Sequence, residues 1–339
     1  MAAWTTRFLP SEGDDPMRLR LPFLQIAVPT LIAAPLLLLA CSSDDPDVSS
    51  SATQSSTTSQ GAGAGSASGT SGSGAAGGGS STGGAGGGAG GGAGGTSPGC
   101  QVADPQKGVI DETIDVDGTS RTYVLSVPEG YDPTAPLPLV FAWHGLGNDG
   151  DGARGYFGIE EQANGQAIFV YPDGLPVDGG QTGWDLDVDG IDVRFFDAML
   201  DKVKSSHCIN EDRIFSAGHS FGGFISNTMG CARADVLRAI APVAGGGPFS
   251  NQCSGPIAAW LAHGDPDPTV PFAEGQASRD HWLAENGCGA TTSPVDPAPC
   301  QTYEGCQGGM GVTWCVHDMQ HNWPNFAGAG IWGFFASLE

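Results

Sequence analysis

A short apolar run, Ile214-Phe-Ser-Ala217, leads directly into Gly218-His-Ser-Phe-Gly222, and Phe224, Ile225, Thr228 and Met229 then recur at helical spacing. The order is strand, tight turn, helix. In that setting a Gly-x-Ser-x-Gly turn lifts the serine hydroxyl above the C-terminal edge of a sheet. The turn is strained, and side chains on either side of the serine would clash, so glycine is required there. The pattern alone is weak evidence. Gly79-Ser80-Ser81-Thr82-Gly83 repeats it inside a Gly/Ser tract that offers neither strand nor helix. Context makes Ser220, and not Ser81, the candidate nucleophile.

Such a turn needs a parallel sheet beneath it, and the rest of the chain supplies one. Alternating residues over 109–127, broken at Asp117-Gly118, read as a β-hairpin. The runs 139–143, 167–171, 239–244 and 257–262 are apolar throughout, as expected of strands covered on both faces. Helices are expected over 156–165, after a capping Asp192, and over 276–286. Two strands, 301–304 and 312–316, and an aromatic-rich closing helix complete the domain. Alternating strands and helices predict one α/β domain over residues 100–339 with a mostly parallel sheet.

Residues 42–99 are almost entirely Ser, Thr, Gly and Ala and cannot bury a core. They are expected to form a tether with an rms reach of roughly 40 Å. Residues 1–40 read as a signal peptide: Arg18 and Arg20, an apolar run, then Leu38-Leu-Ala-Cys41. The cysteine after Ala40 is similar to a bacterial lipobox, which implies lipid attachment at Cys41. The acidic Glu12, Asp14 and Asp15 suit such a leader poorly, so Met17 is the expected start. Nine cysteines and no paired C-x-x-C point to disulfides in an exported protein, not to a metal site. A net charge of −24 argues against nucleic acid and against anionic lipid surfaces.

Activating Ser220 requires a base, and the base requires a carboxylate partner. Beyond Ser220, Asp265 and Asp267 follow a strand end, and the later histidines are His281, His317 and His321. His281 falls within a helix and His317 on a strand. His321 lies in a loop past the last strand, free to turn back, and is the candidate base. Bottom-up reasoning leaves Asp265 and Asp267 open. His144-Gly-Leu-Gly147 ends another strand, and Leu146 and Phe221 are the candidate backbone N–H donors to an oxyanion. Trp184, in a long loop above the sheet edge, and Trp323 are candidate substrate-binding walls.

Four blocks in order, Trp143-His-Gly, Gly218-His-Ser-Phe-Gly-Gly223, His263-Gly-x-x-Asp-x-x-Val-Pro271 and His321-Asn-Trp-Pro324, resemble the secreted feruloyl esterase and polyhydroxybutyrate depolymerase family. This is carbohydrate esterase family one, of the α/β-hydrolase superfamily. The resemblance runs through most of residues 100–339 and implies an α/β-hydrolase fold. It implies a Ser220–His321–Asp267 triad, the acid being the Asp three residues before Val-Pro. Asp265 departs from the family, which commonly has an uncharged residue there. The cysteines also resemble those of secreted esterases of this kind. The pairs expected on that basis are Cys288–Cys306, Cys300–Cys315, Cys231–Cys253 and Cys100–Cys208. The implied function is an exported, monomeric serine esterase acting on feruloyl or acetyl esters of plant-wall polysaccharide. Polyhydroxyalkanoate is the alternative polymer, and a non-catalytic surface binding protein the alternative class. No metal or cofactor is implied.

Overall fold

The structure, a computed structural model, describes residues 95–177 and 179–338. The expected signal peptide, Met17 start, lipidated Cys41 and most of the tether lie outside the described residues. The last residues assigned to the tether belong to the domain. Thr96 pairs with Asn210, and Ser97 is buried with its hydroxyl on His207 O at 2.7 Å.

Strands β1 (Gly108–Val116) and β2 (Thr119–Val127) form the expected hairpin. Asp117 and Gly118 both have positive φ, the requirement of a two-residue turn. Then follow β3 (Leu137–Trp143), α1 (Gly150–Phe157), α2 (Ile159–Ala163), β4 (Ile168–Pro172), β5 (Leu175–Pro176), β6 (Thr182–Gly183), α3 (Ile191–Ser206), β7 (Ile209–His219), α4 (Phe221–Ala232), β8 (Ala239–Val243), β9 (Ala258–Gly264), α5 (Phe272–Glu285), β10 (Thr292–Pro294), β11 (Cys300–Tyr303), β12 (Val312–His317) and α6 (Ala327–Ser337).

Among the described residues the main sheet has ten strands, in the order β1-β2-β4-β3-β7-β8-β9-β12-β11-β10. The six strands from β4 to β12 are parallel, and antiparallel strands close both edges. Helices α3, α4 and α5 pack one face through Phe196, Met199, Ile225, Met229 and Trp282. The other face is covered by α1, α2 and α6 through Phe157, Ile159, Ile331 and Phe335. Both faces are therefore dry, which is why the parallel strands read as unbroken apolar runs. The chain runs from β3 out to β4 and returns to β7 on the other side. That reversal opens a crevice at the C-terminal strand ends between β3 and β7.

Two helices depart from the sequence reading. The helix expected over 156–165 is two shorter ones. Asp149 caps α1 by accepting from Gly152 N, and Gly158, with φ of 65°, ends it. The expected cap of α3, Asp192, lies inside its first turn, and Gly190 precedes the helix. Asp192 turns inward because it meets the buried Arg121 at 2.6 Å.

Four disulfides join Cys100–Cys208, Cys231–Cys253, Cys288–Cys306 and Cys300–Cys315, the same pairs named from the sequence. Cys300 and Cys315 are directly paired partners on β11 and β12. Each bridge stabilises by about 2–4 kcal/mol, mainly by restricting the unfolded chain. No helix among the described residues is long and apolar enough to cross a membrane.

Candidate active site

The elbow is built by close packing. Ser220 sits between β7 and α4 with φ of 57° and ψ of −122°, a conformation that costs about 1–3 kcal/mol for a non-glycine residue. Its backbone N–H donates to Val243 O of the adjacent strand at 2.9 Å. Gly222 explains why the turn tolerates no side chain. A β-carbon there would sit 1.9 Å from Trp143 O, at the end of β3. The second glycine of the motif is thus where the first turn of α4 passes over β3.

Ser220 Oγ lies 2.9 Å from His321 Nε2, and His321 Nδ1 lies 2.6 Å from Asp267 Oδ2. The carboxylate side chain is fully buried. Its other oxygen accepts from Thr269 N at 2.8 Å and Val270 N at 2.9 Å. Burial alone would raise this carboxyl, but the hydrogen bonds from His321 and the two backbone N–H groups outweigh it and hold the group below the usual range. Asp265, the other acid left open by the residues, is exposed, and its backbone N–H donates to His317 O. The structure brings Asp267, and not Asp265, to His321.

On the β3 side, His144 is fully buried. Its Nδ1 lies 2.7 Å from Gly145 O, and its Nε2 accepts from Gly174 N at 2.9 Å. Because Gly174 N donates to Nε2, the proton must be on Nδ1, which then donates to Gly145 O. Burial also holds this ring below the usual histidine range, hence neutral. Asn148 N donates to the same carbonyl at 3.2 Å. In a planar trans peptide the following N–H points opposite the carbonyl. With Gly145 O held toward His144, the Leu146 N–H faces the other way. Phe221 N–H is the first of α4, where helix N–H groups have no intrahelical acceptor.

A cavity of about 390 Å³ opens onto Ser220 and His321, walled by Leu146, Tyr156, Phe157, His219 and Thr269. Leu146 and Tyr156 are 49% and 46% exposed, so apolar surface is presented at the nucleophile. Larger clefts of about 510 and 530 Å³ share Arg154 and Glu160, which pair with each other; neither is lined by a histidine or cysteine.

Neither tryptophan named from the sequence lines the cavity. Trp184 is 2% exposed; its indole N–H donates to His144 O at 2.9 Å and its ring packs on Trp143 and His144. It supports the β3 loop from beneath. Trp323 is also buried, stacked on Phe157 at 4.3 Å, with its backbone N–H on Tyr156 Oη. It stands behind the wall that Tyr156 and Phe157 form. The sequence signal for that wall was an aromatic pair just downstream of the His-Gly loop. His219, between Gly218 and Ser220 in the elbow, lines the cavity 5.1 Å from the His321 ring. Burial, and next the repulsion of a charged His321, pushes His219 down to about 3. It stays neutral beside His321, the candidate base.

Among the described residues, metal-ligating atoms gather only at Cys253, His281 and Glu285, and the Cys253 sulfur is held in a disulfide.

No model of a protein family matches the chain. Individual proteins do. Over 272 residues it is 32% identical to feruloyl esterase D of Neurospora crassa, covering 72% of this chain and 91% of that one. It is 35% identical over 204 residues to feruloyl esterase C of Emericella nidulans, covering 58% of this chain and 71% of that one. Among solved structures, an acetyl xylan esterase from Aspergillus awamori shares the fold, with a TM-score of 0.55 at 16% identity. The match covers 67% of this chain and 99% of the other. With this sheet and these relatives, the chain belongs to the feruloyl esterases, carboxylic ester hydrolases with the α/β-hydrolase fold.

Proposed function

We propose that Ser220 is the nucleophile of an exported feruloyl esterase and that His321 and Asp267 activate it. The observation that carries this reading is the continuous hydrogen-bond chain from Asp267 through His321 to Ser220 at the mouth of an apolar cavity. His321 Nε2 takes the hydroxyl proton as Oγ attacks the ester carbonyl carbon. Asp267 holds the Nδ1–H tautomer and stabilises the imidazolium. The carbonyl oxygen becomes an oxyanion, received by the N–H groups of Phe221 and Leu146. His321 returns the proton to the departing alcohol, leaving an acyl-enzyme. Water then gives a proton to His321 and attacks the acyl carbon. The acid leaves and Ser220 regains its proton.

Leu146, Tyr156 and Phe157 suit a flat aromatic acyl group, which supports feruloyl esters before acetyl ones. The alcohol side is a plant-wall polysaccharide, reached by a monomeric domain on a Ser/Gly-rich tether lipidated at Cys41. The four disulfides suit such an oxidising, exported setting. The test is product release from methyl ferulate, acetylated xylan and polyhydroxybutyrate in parallel. Ferulate release should be fastest and should vanish in Ser220→Ala. Turnover of acetylated xylan or polyhydroxybutyrate with methyl ferulate untouched overturns the aromatic assignment.

A further inference from the structure

The block His263-Gly-x-x-Asp-x-x-Val-Pro271 supplies one member of the triad, Asp267. His263 is wholly buried at the end of β9. Its Nε2 lies 3.0 Å from Val270 O and 3.4 Å from Asp267 Oδ2, the same oxygen that faces His321. A carbonyl can only accept, so Nε2 carries the proton. Nδ1 is then a bare lone pair, buried without a hydrogen-bond partner against Gly275 of α5. The ring also meets Phe272 edge-on, and Glu274 is the other nearby charge. Burial keeps the imidazole below the usual histidine range, hence neutral.

The arrangement grips the acid from both sides. Thr269 N and Val270 N donate to Oδ1, and His263 reaches Oδ2 while also holding the carbonyl of Val270. A leucine would fill similar space and leave no unpaired nitrogen in the core, so the histidine is there for its donor. Gly264, the next residue, serves the base. A β-carbon there would lie 2.2 Å from the carbonyl of Gln320, which directly precedes His321. The loop carrying His321 therefore docks on bare backbone beside the acid turn.

We infer that His263 is a positioning residue for ester hydrolysis, aiming the Asp267 carboxylate at His321 by an Nε2–H bond to the carbonyl of Val270, the residue whose own N–H holds Oδ1, with Nε2 3.4 Å from Oδ2. The inference rests on the proposed triad. The test compares wild type, His263→Leu and His263→Gln on p-nitrophenyl acetate, with competent sites counted by fluorophosphonate titration so that misfolded protein drops out. His263→Leu should lower kcat per labelled site by about tenfold or more with KM within about twofold. His263→Gln places an amide N–H near the old Nε2 and should recover kcat to within about threefold. If His263→Leu does not fold, His263→Asn, too short to reach Val270 O, carries the same prediction. A kcat per site within about twofold of wild type in the Leu or Asn variant overturns the inference. So does a Gln variant as impaired as Leu. Ser220→Ala separates the two readings. Hydrolysis that survives in it overturns the triad itself, whereas an inert Ser220→Ala beside an unaffected His263→Leu overturns only the role of His263.

Discussion

The nucleophile elbow and the acid turn stand at the ends of β7 and β9, with β8 between them, and are held in different ways. At the elbow, Ser220 is forced to positive φ, and Gly222 passes over Trp143 O where no β-carbon fits. Close packing dominates that geometry, beside one backbone hydrogen bond from Ser220 N to Val243 O. In the acid turn, Asp267 is held by discrete donors: Thr269 N, Val270 N and His321. Close packing fails all at once, since interiors transmit strain and do not deform smoothly. Hydrogen bonds can be removed one at a time, so the acid turn should show graded effects where the elbow shows all-or-none ones.

The harshest way to break this contrast is Gly222→Ala. The added methyl has no room against backbone, so the variant should lose more than about 4 kcal/mol of stability and yield little folded protein, read from urea denaturation. Normal stability would mean that the elbow is not sterically set. Ser220→Ala removes the hydroxyl and leaves the packing. Its kcat should fall by about 10⁵-fold or more with an unchanged denaturation midpoint. Asp267→Asn keeps the shape but lets the wrong His321 tautomer form, and kcat should drop by about 10⁴-fold.

A pH titration sharpens the comparison from the other side. The Asp267 carboxyl is depressed in the folded protein. Its contribution to stability is therefore complete above the unfolded value of about 4 and is lost as pH falls through the lower folded value. The difference in denaturation midpoint between wild type and Asp267→Asn should shrink below about pH 4, whereas the deficit of any recoverable Gly222→Ala should not follow that titration. The smallest effect belongs to the neighbouring acid. Asp265→Asn alters an exposed side chain and should leave kcat within about twofold of wild type. A larger loss would show that both carboxylates serve His321.

The same contrast explains what could be read from the sequence. Ser220, His321 and the His144 loop were legible because each is announced by its own strand end and a local pattern. Asp267 was not separable from Asp265 on the residues alone. The difference lies in a turn whose backbone N–H groups and buried His263 converge on one carboxylate, and spacing does not show that. The cavity walls were misread for a related reason. Trp184 and Trp323 are conspicuous in the sequence, but the long loop turns one indole under His144 and α6's approach puts the other behind Phe157. Tyr156 and Phe157 reach the cavity because α1 ends at Gly158, and the expected helix 156–165 hid that ending. Asp192 looked like a helix cap because its partner, Arg121, is remote in sequence.

The central claim is that ester hydrolysis passes through Ser220. Labelling the purified enzyme with a fluorophosphonate, mapping the adduct by peptide mass spectrometry, and following methyl ferulate hydrolysis in the same sample tests it most directly. The account predicts one adduct per chain, on Ser220, with hydrolysis lost in proportion to labelling. An adduct on another residue, or ferulate release that persists when Ser220 is fully labelled, would contradict it.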